Sequence, residues 1–179
     1  ALLDYPTSIS YDSEGGIYVV GYTESSSFPV TPSAYDKTYN GIGDAFVSRM
    51  SGDLSSLLAS TFLGGTDMDW GSSLLLDSSG GIYITGDTFS SDFPVTLGAY
   101  DTTHNGNCDA FIAKMDTNLS SLLASTFLGG RSGDSGYSMV FSSSGNEIFI
   151  TGGTFSSNFP VTVGAYDPTY NGSDDIFIS

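Results

Sequence analysis

The strongest constraint on the fold of this chain is an internal repeat. The segment LSSLLASTFLGG occupies 54–65 and recurs unchanged at 119–130, a shift of 65 residues. Phe-Pro-Val-Thr begins at Phe28, Phe93 and Phe159, at shifts of 65 and 66. Self-similarity at one fixed period indicates a repeat architecture, in which each unit buries its apolar surface against its neighbours.

Each copy of the repeat contains four short segments with the pattern of a β-strand, separated by turns rich in Asp, Asn, Ser and Gly. The copies run over 12–76 and 77–141, with partial copies at approximately 1–11 and 142–179. The predicted strands of the second complete copy are 81–86, 109–115, 122–128 and 137–141. A long connection at 87–108 follows the first of these strands. We expect it to cover an outer edge or one rim of the sheet, held there by its Phe, Val and Tyr side chains.

Four strands per copy is the number found in one blade of a β-propeller. The sequence therefore predicts an all-β fold of consecutive four-stranded antiparallel blades, about 65 residues each, forming an incomplete part of a larger ring. A β-solenoid or an array of β-sandwiches is the alternative. A solenoid coil has a much shorter period, and a sandwich needs more strands per repeat. Because a blade cannot bury both faces alone, we expect this chain to belong to a longer polypeptide or to complete a ring by association.

The charge of the chain limits its partners. There are 20 Asp and Glu against 4 Lys and Arg, which gives a net charge of −16. Such a surface repels phosphate backbones and anionic lipid headgroups, so we expect neither nucleic-acid binding nor membrane insertion. It favours divalent cations, cationic partners or solubility in a salty medium. Cys108 is the single cysteine, which excludes an internal disulfide.

Several segments together resemble a known family. They are GIYITGDT at 81–88, SDFPVT at 91–96, GAYD at 98–101, DAFIAKM at 109–115 and STFLGG at 125–130. This combination is similar to the SBBP repeat, the seven-bladed β-propeller repeat of bacterial and archaeal surface and secreted proteins. The resemblance covers essentially the whole chain. It implies a propeller fold and export, but no catalytic residues. Seven blades of this period would need more than twice the length of this chain.

These patterns lead to a functional hypothesis. We expect a non-catalytic extracellular scaffold or interaction module, on the surface of a prokaryotic cell or secreted, whose loops bind a protein, glycan or matrix partner. One alternative is a structural subunit of a surface layer or filament. A second is part of a secreted propeller enzyme with its site in the central tunnel. A catalytic Ser-His-Asp triad is disfavoured because no nucleophile-elbow motif follows a strand.

Recurring carboxylates give the sharpest site hypothesis. Asp67, Asp69 and Asp134 lie in the glycine-rich turns after the third predicted strands, and Asp4 shares the register of Asp69 and Asp134. Hard oxygen ligands in such turns suit Ca²⁺, so we take Asp67, Asp69 and Asp134 as candidate calcium ligands. The competing interpretation is that a recurring Asp caps neighbouring backbone N–H groups. No other cofactor is expected.

Residues that break the repeat are the other candidates for a unique site. His104 replaces Tyr39, Cys108 replaces Gly43, Trp70 replaces Tyr5, and Arg131 replaces Thr66 in the neighbouring copy. His104 and Cys108 lack further His or Cys ligands, so drift at surface positions explains them better than a metal pair. Trp70 is either a sugar-stacking platform or a packing residue at a blade edge. Asn118-Leu119-Ser120 and Asn171-Gly172-Ser173 match the acceptor motif for N-glycosylation.

Overall fold

The computed structural model describes residues 2–179, which form three antiparallel β-sheets in chain order. The first sheet contains β1 (Asp4–Tyr11), β2 (Ile17–Thr23), β3 (Asp44–Met50) and β4 (Leu57–Leu63). The middle sheet contains β5 (Asp69–Leu76), β6 (Ile82–Thr88), β7 (Asp109–Met115) and β8 (Leu122–Leu128). The third sheet contains β9 (Asp134–Phe141), β10 (Ile148–Thr154) and β11 (Asp175–Ile178).

Within each sheet the strands pair with their neighbours in sequence, as the blades of a propeller do. The first strands of successive sheets contact each other, β1 with β5 and β5 with β9. β5 also contacts β2 and β3 of the sheet before it, and β9 likewise contacts β6 and β7. The predicted all-β fold of stacked antiparallel blades is therefore confirmed. No helix in residues 2–179 is long and apolar enough to span a membrane.

The sheets are out of phase with the copies that the sequence predicts. The strand expected to end the copy 12–76 is β5, and it pairs with β6 of the next copy. Periodicity determines the length of a repeat but not where the unit begins. The hairpin turn decides the pairing here, because Asp77 Oδ1 accepts hydrogen bonds from the backbone N–H groups of Ser79 and Gly81, both at 2.8 Å. Gly80 lies at φ +85° in this turn, a conformation that glycine adopts without strain.

The first strand of each sheet begins three residues earlier than predicted, at a recurring Asp. The residues before the predicted start of β5 are Asp69, Trp70 and Gly71, and Asp and Gly are depleted in strands. β5 also carries a register shift between Gly71 and Ser73. The low β-propensity of Asp and Gly, together with the bulge, is the reason that the sequence did not predict this part of the strand.

The long connection between the second and third strands of a sheet covers the outer edge of its fourth strand. In the middle sheet, Thr96 N donates to Ser125 O at 3.1 Å, and Phe127 N donates to Asp101 O at 3.1 Å. Phe93 is buried, with its ring centroid 4.4 Å from that of Phe111 and 6.2 Å from that of Phe127. The connection was predicted to be held on an edge by aromatic side chains, and the structure agrees.

The buried core lies between the sheets as well as within them. The largest apolar cluster joins residues of the first and middle sheets, among them Val20, Val47, Leu74 and Ile84. A second cluster joins the middle and third sheets. Gly71 fits against the first sheet because a Cβ there would lie 2.5 Å from Val20 Cγ2. Neighbouring sheets therefore supply much of each other's burial.

Candidate functional site

Asp69 stands at the junction between the first and middle sheets and is fully buried. Its Oδ2 accepts hydrogen bonds from Gly65 N at 2.7 Å and from Ser90 Oγ at 2.9 Å. Its Oδ1 accepts a hydrogen bond from Thr88 Oγ1. The carboxylate thus ties the turn after β4 to the end of β6 and to the residues that follow it.

The same arrangement recurs at the next junction. Asp134 is fully buried, and its Oδ2 accepts hydrogen bonds from Gly130 N and Ser156 Oγ, both at 2.7 Å. Asp4 is exposed, yet its Oδ1 accepts a hydrogen bond from Thr23 Oγ1 at 2.5 Å. Capping of a neighbouring backbone N–H group, the interpretation that competes with calcium binding, describes only the bonds from Gly65 and Gly130. The other donors to the recurring Asp are hydroxyl groups that lie 19–22 residues away in sequence.

Two further buried carboxylates face this network, and the sequence analysis did not single them out. Asp44 and Asp109 begin β3 and β7 and are fully buried. Asp44 Oδ2 accepts a hydrogen bond from Asn40 N at 3.0 Å, and Asp109 Oδ2 accepts one from Asn105 N at 2.7 Å. In both residues Oδ1 has no hydrogen-bond partner within the described structure. The sequence feature that could have identified them is the recurrence of Asp at 44, 109 and 175.

A glycine separates the two carboxylates of each junction. A Cβ on Gly64 would lie 2.7 Å from Asp69 Oδ2 and 3.0 Å from Asp44 Oδ1. A Cβ on Gly129 would lie 2.6 Å from Asp109 Oδ1 and 2.9 Å from Asp134 Oδ2. We call Asp44 with Asp69 the first junction pair, and Asp109 with Asp134 the second junction pair. The first Gly of each Gly-Gly motif therefore makes room for a junction pair.

Burial makes the charged forms of these carboxylates costly. Burial raises the pKa of Asp44 to about 6, against a hydrogen bond from Asn40 that lowers it, and the charge of Asp69 raises it further. Burial also raises the pKa of Asp69 to about 6, although hydrogen bonds from Thr88 and Gly65 oppose the shift. The pKa of Asp109 is likewise raised by burial. Each junction thus concentrates negative charge where water does not reach it.

The third calcium candidate, Asp67, is not part of a junction pair. Its Oδ1 accepts a hydrogen bond from Met68 N at 2.9 Å, and its own N–H donates to Ser90 Oγ at 2.8 Å. Asp69 and Asp134 lie at different junctions, so the structure does not bring the three candidates together. In residues 2–179 no three His, Cys, Asp or Glu side chains are grouped as ligands of one metal ion. Calcium binding at Asp67, Asp69 and Asp134 stays a prediction.

The unique residues His104 and Cys108 have separate contacts. His104 Nε2 lies 3.1 Å from the carbonyl oxygen of Thr88, and its ring packs edge-on against Phe127 with centroids 5.7 Å apart. Cys108 is half-buried and forms a parallel bridge to Gly133. Burial raises the pKa of its thiol, which disfavours the reactive thiolate.

Trp70 and Arg131 also lie apart from each other. The Trp70 ring stacks on Tyr22 of the first sheet, with centroids 4.0 Å apart and planes at 3°. This is the packing role at a blade edge rather than an open platform for a sugar. Arg131 is exposed, and its backbone N–H donates to Asn158 Oδ1 at 2.9 Å.

Two segments of the chain match a family model, and one of them contains Asp69. The model of the SBBP beta-propeller repeat matches residues 3–29 and 60–94. The resemblance to the SBBP repeat is confirmed over these two segments. The second SBBP match includes Asp69 together with all three of its donors, Gly65, Thr88 and Ser90. No significant match was found among curated proteins.

Proposed function

We propose that this SBBP segment is a non-catalytic scaffold of an extracellular protein, displaying loops to a protein, glycan or matrix partner. SBBP repeats are typical of surface and secreted proteins, which supports this location. The observation that carries the proposal is the repeated anchoring of the long connections at 24–43, 89–108 and 155–174. Each is pinned by a Phe against its own sheet, while its tip stays exposed.

Anchored connections suit binding by rigid display. The side chains of Leu97 and Val163, at equivalent places in two connections, are fully exposed. Loops fixed on a rigid scaffold lose little conformational entropy when they bind, so modest contacts from several repeats can add up. The acidic surface favours a partner with basic groups, because complementary charge steers association.

The end faces of the stack support the proposal that further blades cover them. Ile9 of the first sheet is 70% exposed, but Leu74 and Met139 at the same place in the next two sheets are 4% and 6% exposed. On the opposite face, Ala45 and Ala110 are fully buried, whereas Ile176 of the third sheet is 84% exposed. A blade on either side would bury these positions as the internal junctions do.

Location is tested by treating intact source cells with a broad-specificity protease and identifying the released peptides by mass spectrometry. Extracellular display predicts release of peptides from 89–108 without lysis. Detection of these peptides only after lysis would contradict the proposal. A cytoplasmic marker protein, which must stay intact, is the control.

The exposed end faces also favour one competing function, a structural subunit of a surface layer or filament. Chains of this kind would pair end to end without limit, whereas a propeller closes. Electron microscopy of the purified native polypeptide separates the two. Discrete ring-shaped particles support the scaffold, and long fibres or sheets support the structural subunit.

A further inference from the structure

The junction pairs contain carboxylate oxygens that the protein leaves without a partner. These atoms are Asp44 Oδ1 at the first junction, and Asp109 Oδ1 and Asp134 Oδ1 at the second. All three residues are fully buried. A buried polar atom without a partner costs free energy, and a buried carboxylate without a counter-charge costs much more. Something positive is therefore expected at these places.

The described protein supplies no cation there. Arg49 and Lys114 form ion pairs with Asp12 and Asp77 in the turns after the first strands, 2.8 Å and 3.2 Å apart. No Lys or Arg in residues 2–179 forms an ion pair with a member of either junction pair. His104 forms no ion pair with Asp109, its Nε2 lies 3.1 Å from the carbonyl oxygen of Thr88, and Tyr39 stands at its place in the first junction.

The unpartnered Oδ1 of Asp44 and of Asp109 lies close to the second carboxylate of its pair. Asp44 Oδ1 and Asp69 Oδ2 both lie within about 3 Å of the place that a Cβ on Gly64 would take, and Asp109 Oδ1 and Asp134 Oδ2 lie in the same way beside Gly129. The arrangement repeats after 65 residues, with the same glycine and the same unpartnered Oδ1. Two carboxylates converging on one buried place are the ligand type that hard divalent cations prefer.

We propose that each junction pair binds one divalent cation of the calcium type, Asp44 with Asp69 and Asp109 with Asp134. This assignment replaces Asp67 by Asp44 and Asp109, which the sequence hypothesis did not include. The bound ion links the start of the third strand in one sheet to the start of the first strand in the next. It therefore stabilises the contact between sheets rather than the fold of one sheet.

The two sites differ in strength. Asp69 already accepts three hydrogen bonds, which leaves about one of the four lone-pair sites of its carboxylate. Asp134 accepts two, both at Oδ2, and its Oδ1 is unpartnered. The second junction offers more unused oxygen, so it binds the ion more tightly. With two carboxylates each, we expect dissociation constants of about 10⁻⁴–10⁻³ M, as in extracellular calcium modules.

The test is calorimetric titration of the chelator-treated chain with CaCl₂, with thermal unfolding measured alongside. We expect two equivalents of bound Ca²⁺ and a melting temperature that rises with Ca²⁺ concentration. Asp44→Asn and Asp109→Asn each remove one equivalent, and Asp109→Asn removes the tighter one. Asparagine keeps the size and one acceptor oxygen for Asn40 or Asn105 N–H. Asp53→Asn, in an exposed turn with its carboxylate bonded to Ser51 and Ser55, is the matched control and keeps both equivalents.

Three outcomes overturn the proposal. They are the absence of heat and of a melting shift with Ca²⁺, equal losses in Asp53→Asn, and full binding in the Asp44→Asn, Asp109→Asn double variant. Crystals of the wild-type chain soaked in Sr²⁺ give a readout that does not depend on variants folding. Anomalous density between the paired carboxylates supports the sites, whereas ordered water alone, or density only at surface carboxylates, contradicts them.

Discussion

The middle sheet and the first sheet have nearly the same sequence pattern but different environments. Leu74 of the middle sheet is buried against the first sheet, whereas Ile9, its equivalent in the first sheet, faces solvent. Leu119 of the middle sheet is buried and its carbonyl accepts a hydrogen bond from Tyr35 N, while the equivalent Leu54 is exposed. The difference shows that a blade gains much of its burial from its neighbours, as in other quasi-one-dimensional repeats.

The largest expected effect comes from the apolar contact between sheets. Leu74→Ala should lower the free energy of unfolding by about 2–5 kcal/mol, because it leaves a cavity in a closed junction. Ile9→Ala should change it by less than about 0.5 kcal/mol, because that side chain is exposed. Urea unfolding at low protein concentration measures both. Equal losses would contradict the account.

Next comes the hydrogen bond from threonine to the recurring Asp. Thr88→Val leaves the buried Asp69 without one donor and should cost about 1.5–3 kcal/mol, as for bonds to charged groups. In Thr23→Val the partner is Asp4, which is exposed and can bind water instead. We expect about 0.5–1.5 kcal/mol there. A Thr23→Val loss as large as that of Thr88→Val would show that burial of the carboxylate does not set the cost.

Crowding at the junction gives a third comparison. Gly129→Ala would place a Cβ 2.6 Å from Asp109 Oδ1, so the pair must move, at about 1–3 kcal/mol. Gly133→Ala is the control, because its closest contact would be Cys108 Sγ at 3.3 Å. Thermal unfolding of the two variants should rank them in that order. The reverse order would rule out the packing assigned to the Gly-Gly motif.

The smallest effect concerns contacts inside one sheet. Although burial raises the pKa of Asp77, hydrogen bonds from Ser79, Gly81 and Lys114 bring it well below its usual range. The pKa of Asp12 is lowered in the same way by Gly16 and Arg49, against the effect of burial. Asp77→Asn and Asp12→Asn should each lower the free energy of unfolding by only about 0–1 kcal/mol at neutral pH. The two losses should be similar, because neither the Asp77–Lys114 pair nor the Asp12–Arg49 pair depends on a neighbouring sheet.

The pH dependence of this effect has a defined sign. A depressed pKa stabilises the fold above the unfolded pKa of about 3.8, and this contribution is lost as pH falls through the folded value. The difference between wild type and Asp77→Asn should therefore shrink below about pH 4. A difference that grows in acid would contradict the ion-pair assignment.

Much of the fold could be predicted because the repeat aligns the strands. The ranges of β3, β4, β7 and β8 agree with the predictions to the residue, since their apolar runs lie between recurring polar turns. The phase of the sheets and the early starts of β1, β5 and β9 could not be predicted, because they depend on pairing and on a bulge. Asp69 and Asp134 were recognised as recurring turn residues. Asp44 was missed because its pairing with Asp69 arises only when two sheets meet.

Sedimentation velocity of this chain over a range of concentrations tests the central claim, that its end faces are blade interfaces, most directly. The account predicts association that increases with concentration and is abolished when Ile9 and Ile176 are both changed to Asp. Exchange of the exposed Leu97 for Asp is the control and should leave association unchanged. A wild-type chain that sediments as a single monomer at all concentrations, and unfolds cooperatively, would contradict the account.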